Sequence, residues 1–187
     1  MPRPDPRALT DGECAAAAQG GDRDAFGELV RRYQDRLYRY VLRLVGQPDE
    51  AVELVQDAFV RAWQALPQWR PEAQWQTWLY RIASNAALDA LRRRRIVEFA
   101  PLEQDFDAAS DEPDPQRRLE LKQELEALAA GLAKLSHEHR EILLLREQEN
   151  MSYEEIGTVL GLSEGTVKSR LARARAALIE SYPGRAR

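Results

Sequence analysis

The sequence predicts an all-α protein of two small helical domains joined by an acidic linker, and the C-terminal domain is a helix-turn-helix. Three observations support this fold class. Apolar residues recur at spacings of three and four, and no segment shows the sustained alternation of a strand. Residues 98–126 carry ten acidic side chains against three basic ones. Near the C-terminus a capped helix, a glycine and a basic helix follow one another, as in a helix-turn-helix.

The predicted N-terminal domain covers residues 26–98, and residues 1–25 form a segment that continues into its first helix. Glycine and proline at Gly46 and Pro48 end this helix. Its apolar face consists of Phe26, Leu29, Val30, Tyr33, Leu37, Tyr38, Val41, Leu44 and Val45.

Two further amphipathic helices follow in this domain. The second ends before Pro67, and the third starts near Trp75 and runs into four consecutive arginines at 92–95. The apolar stripe of the second helix consists of Val52, Val55, Phe59, Ala62, Trp63 and Leu66.

The four tryptophans divide by their position in this pattern. Trp63 and Trp78 lie on apolar stripes, and we expect at least part of each ring in the core. Trp69 and Trp75 flank the irregular stretch 70–74, and we expect them to be partly exposed.

Residues 99–115 predict a solvated linker, since they combine three prolines with acidic residues and few large apolar ones. The whole-chain net charge of −4 hides two basic segments, residues 81–95 and the last 25 residues, each with a net charge of +4. The overall charge therefore does not exclude binding to a polyanion.

The predicted C-terminal domain covers residues 116–182. Its most specific feature is the capping box from Ser152 to Glu155, which predicts a helix of about eight residues. That helix ends at Gly161, and Ser163 can cap the next one. The inward positions of the second helix are Val167, Leu171 and Ala174.

The outer face of this last helix suits double-stranded DNA. Arg173 can bind a guanine in a bidentate manner, while Lys168 and Arg170 suit phosphate, and Thr166 and Ser169 lie beside them. The alternative is that these residues are only the solvated face of a helix rich in Ala and Arg. The preceding capped helix and turn favour the DNA-binding interpretation.

The N-terminal domain interleaves aromatic residues with basic and amide groups, an arrangement that suits unpaired bases. Stacking on an aromatic ring stabilises an unstacked base by roughly 1–3 kcal/mol. The alternative is that the tryptophans form core and the arginine run is a solvated helix end. The members of this pattern are Arg61, Trp63, Trp69, Arg70, Trp75, Trp78, Tyr80, Arg81 and Asn85.

Several functional classes find little support. Cys14 is the single cysteine, so neither an internal disulfide nor a thiolate zinc cage can form, and we expect no metal or cofactor. His137 and His139 lie two apart on a predicted helix and therefore on different faces. We expect no enzyme activity. No apolar stretch reaches the roughly 20 residues of a membrane span, so we expect a cytoplasmic protein without membrane insertion.

At this point the chain resembles the extracytoplasmic-function (ECF) type of RNA polymerase sigma factor. Residues 26–95 resemble region two of that family through LVQDAF and TWLYRIASN, and residues 129–179 resemble region four through LSEGTVKSRLARAR. The resemblance implies a promoter-specificity subunit with core RNA polymerase, promoter DNA and an anti-sigma factor as partners.

The resemblance also implies roles for individual residues. Polymerase binding falls to Glu53, Leu54, Gln56, Asp57 and Phe59. The loop 67–74 captures a base of the −10 element, and that element is contacted by Arg61, Trp69, Arg70, Trp78, Tyr80, Arg81, Asn85, Arg92 and Arg93. The −35 element is read by Thr166, Lys168, Ser169, Arg170 and Arg173.

A second hypothesis is a stand-alone helix-turn-helix regulator whose N-terminal helices dimerise or sense a ligand. Such a reader of duplex DNA has no need of the aromatic and amide pattern in the N-terminal domain. The sequence also departs from the family pattern, with Val52 where an acidic residue is common and Pro71 where glycine is frequent.

Overall fold

A computed structural model of the protein describes residues 5–72, 74–94 and 115–181, with the backbone alone for 115–122. Within these ranges no residue lies in a strand, and none of the helices is both long and apolar enough to cross a bilayer. The all-α prediction is therefore confirmed for the part of the chain that the structure describes. The helices are α1 (Asp11–Gln19), α2 (Arg23–Val45), α3 (Pro48–Ala65), α4 (Trp75–Arg93), α5 (Pro115–Lys134), α6 (His137–Leu143), α7 (Tyr153–Leu160) and α8 (Glu164–Ser181).

Helices α1 to α4 form the N-terminal bundle, and their ends follow from local chemistry. The Asp22 carboxylate caps α2 by accepting the amide of Ala25 at 2.9 Å. Gly46 ends α2 in the left-handed conformation, with φ 71°, which glycine adopts without steric cost. Pro48 then opens α3, where its missing N–H and fixed φ are tolerated.

Helix α1 is an element that the sequence pattern did not predict. Thr10 caps it by accepting the amide of Glu13, whose carboxylate in turn accepts the amide of Thr10 at 2.7 Å. The Arg32 guanidinium of α2 binds the Asp11 carboxylate at 2.7 Å and the Leu9 carbonyl at 2.8 Å. These contacts fix the N-terminal end of α1 to α2.

The expected exposure of the tryptophans was wrong for two of the four. Trp69 and Trp75 are 3% and 2% exposed, because they pack edge-on against each other with centroids 6.4 Å apart. Trp75 also packs against Phe26 at 6.2 Å. Trp63 is 37% exposed and packs edge-on against Phe26 at 4.9 Å, and Trp78 is half-buried, so part of each ring lies in the core as expected. A helical pattern gives the angular position of a side chain but not which neighbouring element covers it.

Helices α5 to α8 form the C-terminal domain, and α7 and α8 form its helix-turn-helix. Both halves of the predicted capping box are present, with Ser152 donating its amide to the Glu155 carboxylate at 2.7 Å. Gly161 ends α7 with φ 66°. The turn is tight at Gly157, where a Cβ would lie 2.7 Å from the carbonyl oxygen of Leu162.

The two domains pack against each other through α4 and α7 and through α2 and α6. Arg140 on α6 is buried, and its guanidinium donates to Leu44 of α2 at 3.0 Å. It also donates to the carbonyls of Leu132, Ala133 and Leu135 at the C-terminal end of α5, at 2.9 to 3.0 Å. Burial lowers the pKa of Arg140 to about 10, so the side chain remains charged at neutral pH. The predicted linker 99–115 lies outside the described residues except for Pro115.

Candidate nucleic-acid interface

Helix α8 has a basic outer face and an apolar inner face that packs against the rest of the domain. Val167, Leu171 and Ala174 are buried, as predicted, and they pack the helix against the rest of the domain. Lys168 and Arg173 are exposed on the opposite side. This arrangement leaves long cationic side chains free to reach a DNA groove, while the helix itself is held rigidly.

The first turn of α8 is ordered by its own side chains. The Ser163 hydroxyl accepts the amide of Thr166 at 3.3 Å and lies 2.8 Å from its hydroxyl. Ser169 donates to the Thr166 carbonyl at 3.0 Å. The hydroxyl of Thr166 is therefore partly engaged in the cap, whereas Ser169 remains exposed.

Two arginines of α8 contact acidic side chains of the same domain. Arg170 is 3.4 Å from Glu138, and Arg175 is 2.7 Å from Glu147. Both glutamates are largely exposed, so each pair is weak and can exchange its partner for a phosphate. Arg170 lies three residues before Arg173 and therefore on the same side of α8, whereas Arg175 lies on another side.

Helix α4 carries the residues predicted to contact unpaired bases, and the structure places them on two different faces. Trp78, Arg81, Asn85 and Arg92 follow one another at spacings of three, four and seven, which places them on one face. Arg81, Asn85 and Arg92 are exposed and Trp78 is half-buried. Tyr80 lies on the other face and is completely buried.

A cleft separates the exposed face of α4 from α7. Arg81 and Asn85 line it on the α4 side, together with Ser84 and Leu88. The residues 158–161 line it on the other side, with Glu141 also contributing. The predicted reading residue Asn85 therefore faces the C-terminal domain in this arrangement.

Tyr80 joins the two domains through Glu149. Its hydroxyl donates to the Glu149 carboxylate at 2.5 Å, and Arg36 of α2 binds the same carboxylate oxygen at 3.1 Å. Burial, followed by the charge of Glu149, raises the pKa of Tyr80, so the phenol stays protonated and donates. The side chain of Glu149 is 1% exposed, which makes this a desolvated contact between the domains.

The turn before α7 positions Glu149. Helix α6 continues into a π-helical turn, Leu144–Gln148, and the amide of Glu149 donates to the Leu144 carbonyl at 3.1 Å. Asn150 follows with φ 56°, a left-handed conformation that asparagine tolerates better than most residues. The sequence analysis did not single out Glu149, because its partners are 69 and 113 residues away in the chain.

Helix α3 has an outer face with exposed apolar side chains. Val52 and Val60 are 43% and 52% exposed and lie on the same face as Gln56 and Trp63, at spacings of four, four and three. Val52 was predicted as part of the apolar stripe, and the structure contradicts this, whereas Trp63 is partly covered through its contact with Phe26. The sequence shows that Val52 and Trp63 are spaced to share a face with Gln56, but it does not show which face of α3 packs into the core.

The predicted polymerase-binding residues lie on both faces of α3. Glu53 and Gln56 are exposed, and Asp57 is half-buried and pairs with Arg61 at 2.6 Å. Leu54 and Phe59 are each only 8% exposed and belong to the core. The last two therefore orient the helix and present little surface to a partner.

The remaining −10 residues lie at the ends of α3 and α4. Trp69 is buried, whereas the adjoining Arg70 is exposed. Arg92 and Arg93 are exposed in the last turn of α4. Arg94 belongs to the predicted phosphate-binding run, but it contacts Glu50 at 2.5 Å and the Val45 carbonyl at 3.3 Å.

Comparison with known families matches both halves of the chain. The family described as Sigma-70 region 2 matches residues 29–96, and the family described as Sigma-70, region 4 matches residues 125–178. The first match contains α3 and α4, and the second contains the helix-turn-helix.

Individual proteins extend this similarity over most of the chain. The RNA polymerase sigma factor CnrH of Cupriavidus metallidurans is 38% identical over 172 residues, which is 88% of this chain and 90% of CnrH. The ECF RNA polymerase sigma factor SigE of Mycolicibacterium smegmatis is 36% identical over 152 residues, 81% of this chain and 59% of SigE. The solved structure of CnrH in complex with the cytosolic domain of CnrY has a TM-score of 0.69 at 34% identity, covering 91% of this chain and 95% of that one.

Proposed function

The chain belongs to the ECF family of RNA polymerase sigma factors, and on this premise we propose how its surfaces bind core RNA polymerase, promoter DNA and an anti-sigma factor. As a sigma factor it binds core polymerase and directs promoter recognition and transcription initiation. We propose no catalytic activity for the protein, and we propose that it acts in the cytoplasm, where it meets core polymerase and DNA. The observation that supports the proposal best is the pairing of a basic helix-turn-helix with a second polar and aromatic face on α4.

Core polymerase binds the outer face of α3. This face combines exposed Val52 and Val60 with the polar Gln56 and the acidic Glu53 and Asp57. Apolar side chains at the centre of an interface contribute contact area, and acidic side chains at its edge select a basic partner.

The −35 element is read by α8 in the major groove. Arg173 contacts a base, Ser169 lies near it, and Lys168 contacts the phosphate backbone. Arg170 moves from Glu138 to a phosphate, and Thr166 keeps its role in the cap while lying next to the DNA.

The −10 element is read by the face of α4 that bears Trp78, Arg81 and Asn85, together with the loop before it, where Arg70 is exposed. Since α7 lines the same cleft as Asn85, promoter binding separates α7 from α4. Tyr80 loses its contact with Glu149 in that step.

An anti-sigma factor binds the free protein and competes with core polymerase. The similar protein CnrH is known in complex with the cytosolic domain of CnrY, which supports a protein partner of this kind here. The exposed apolar residues of α3 are the surface that such a competitor has to cover.

Run-off transcription with purified bacterial core polymerase tests this function. The protein is added to core polymerase on a library of genomic promoter fragments, and a Gln56→Arg variant is compared with a matched Gln34→Arg control on the exposed face of α2. We expect specific initiation with the wild type and the control, and loss of both transcription and core binding with Gln56→Arg. Tight duplex binding without any transcripts or core binding would instead indicate a stand-alone regulator.

A further inference from the structure

The C-terminal end of α1 contacts the loop that precedes α4. The side-chain amide of Gln19, the last residue of α1, donates from Nε2 to three backbone carbonyls of this loop. The distances are 3.1 Å to Leu66, 3.2 Å to Pro67 and 3.1 Å to Trp69. Gln19 lies outside both segments that match the sigma families.

This contact fixes the shape of the loop. One amide nitrogen has two hydrogens, so three carbonyls can share it only when the loop curls around it. The turn Leu66–Gln68 supplies this curvature, and the amide of Trp69 donates to the Leu66 carbonyl at 3.0 Å. The buried ring of Trp69 anchors the far end against Trp75.

The other end of α1 is held independently. Arg32 of α2 binds Asp11 and the Leu9 carbonyl, and Tyr33 donates to the second oxygen of the Asp11 carboxylate. Helix α1 therefore connects this anchor on α2 to Gln19, and the hydrogen bonds of Gln19 fix the loop relative to α1. Beyond the contact, Arg70, Pro71 and Glu72 project into solvent.

We propose that Gln19 is a positioning residue for recognition of the −10 element. It holds the loop 66–72 in the shape that receives an unstacked base, so base preference in the −10 element depends on a residue of α1. This inference rests on the proposed role of the loop in promoter recognition.

Substitutions at Gln19 separate its donor chemistry from its size. Gln19→Glu keeps the shape but replaces the donor with a carboxylate that faces three carbonyl oxygens, so the loop has to move away. Gln19→Met keeps the length of the side chain and lacks the donor, without adding charge repulsion. We therefore expect the larger effect from the glutamate.

The test uses holoenzyme reconstituted from core polymerase and the full chain, with promoter libraries randomised separately in the −10 and −35 elements. The variants are Gln19→Glu, Gln19→Met, the loop variant Arg70→Ala and the control Gln34→Glu on an exposed face of α2. Base stacking of roughly 1–3 kcal/mol corresponds to about 5- to 150-fold in affinity, so we expect Gln19→Glu to reduce the preference for the best −10 base by about tenfold. The −35 preference and core affinity should not change, and Gln34→Glu should behave as wild type.

Two results would overturn the inference in different ways. If Arg70→Ala alters the −10 preference while Gln19→Glu lowers only stability or overall yield, the loop reads DNA but Gln19 does not position it. If neither variant changes the −10 preference in an otherwise active holoenzyme, the loop has no reading role and that part of the proposed function fails as well.

Discussion

The two helices proposed to bind DNA differ in how accessible they are. Helix α8 has a buried apolar face and exposes Lys168 and Arg173. Helix α4 faces α7 across a cleft at Asn85, and its Tyr80 is bound to Glu149 of the C-terminal domain. Duplex DNA presents its groove to a preformed helix, whereas melted DNA needs a surface that can be exposed when the strand opens.

The contact between the domains includes buried polar groups, among them Glu149, Tyr80 and Arg140, and these matter for function. A desolvated carboxylate such as that of Glu149 stabilises the closed arrangement only while its donors are in place. A polar contact that is exchanged for solvent and DNA can open at lower cost than an apolar core of the same area. The following predictions test this comparison, in order of decreasing effect.

Removing Arg140 should have the largest effect. Arg140→Met leaves four carbonyls, one on α2 and three at the C-terminal end of α5, without their donor, so we expect a loss of about 3–5 kcal/mol in the free energy of unfolding. Urea unfolding followed by circular dichroism measures it. Arg173→Met, which removes an exposed arginine, is the control and should change stability by less than about 0.5 kcal/mol. Equal effects of the two variants would contradict the burial of Arg140.

Breaking the contact between Glu149 and Tyr80 should have the second largest effect on stability. Glu149→Ala leaves the Tyr80 hydroxyl without its acceptor and should cost about 2–4 kcal/mol, since Arg36 on the other side is partly exposed to solvent. A double-mutant cycle with Tyr80→Phe should give a coupling of about 1–3 kcal/mol. Glu147→Ala is the matched control, because this neighbouring glutamate is largely exposed in its pair with Arg175. Additive effects of Glu149→Ala and Tyr80→Phe would show that the two side chains do not meet.

Substitutions on α8 should change DNA recognition without changing the domain contact. Arg173→Ala should cost about 1–3 kcal/mol of discrimination in the −35 element. Lys168→Ala should instead weaken binding to all sequences and reduce the salt slope by about one unit. Holoenzyme binding to −35 variants over a range of salt concentrations separates the two. Equal, sequence-independent losses would remove the base-reading role of Arg173.

The smallest effect concerns the acid stability of the N-terminal bundle. Hydrogen bonds from Arg31 and Arg32 lower the pKa of Glu28 from 4.5 to about 2. Because the folded-state pKa is the lower one, the stabilisation is complete above the unfolded value and is lost as the pH falls through about 2. The stability difference between wild type and Glu28→Gln should therefore be largest above pH 4.5 and shrink towards pH 2. A difference that is independent of pH would exclude this ionisation as its source.

The helices and their ends were predictable because their signals are local. Caps such as Ser152 and Glu155, and terminators such as Gly46 and Gly161, act over a few residues. The same kind of signal, Thr10 followed by Glu13, also marks the start of α1.

The packing was less predictable because it joins distant parts of the chain. Periodicity placed Val52 on the apolar stripe and left Trp69 outside it, and the structure reverses both, since the packing of neighbouring elements decides which side chains are covered. The pairing of Tyr80 with Glu149 has no local signal at all. The proposed DNA-binding face of α4 could be identified from residue types, but its position opposite α7 could not.

The most direct test of the account is the distance between α4 and α7 in the free protein and in the promoter complex. Spin labels at Asp89→Cys and Glu154→Cys occupy exposed positions on the two helices, and the native Cys14 is completely buried. Pulsed electron paramagnetic resonance should give a short distance between the two spin labels in the free protein and a longer one in the complex with core polymerase and promoter DNA. An unchanged distance in a transcriptionally active complex would contradict the separation of α7 from α4.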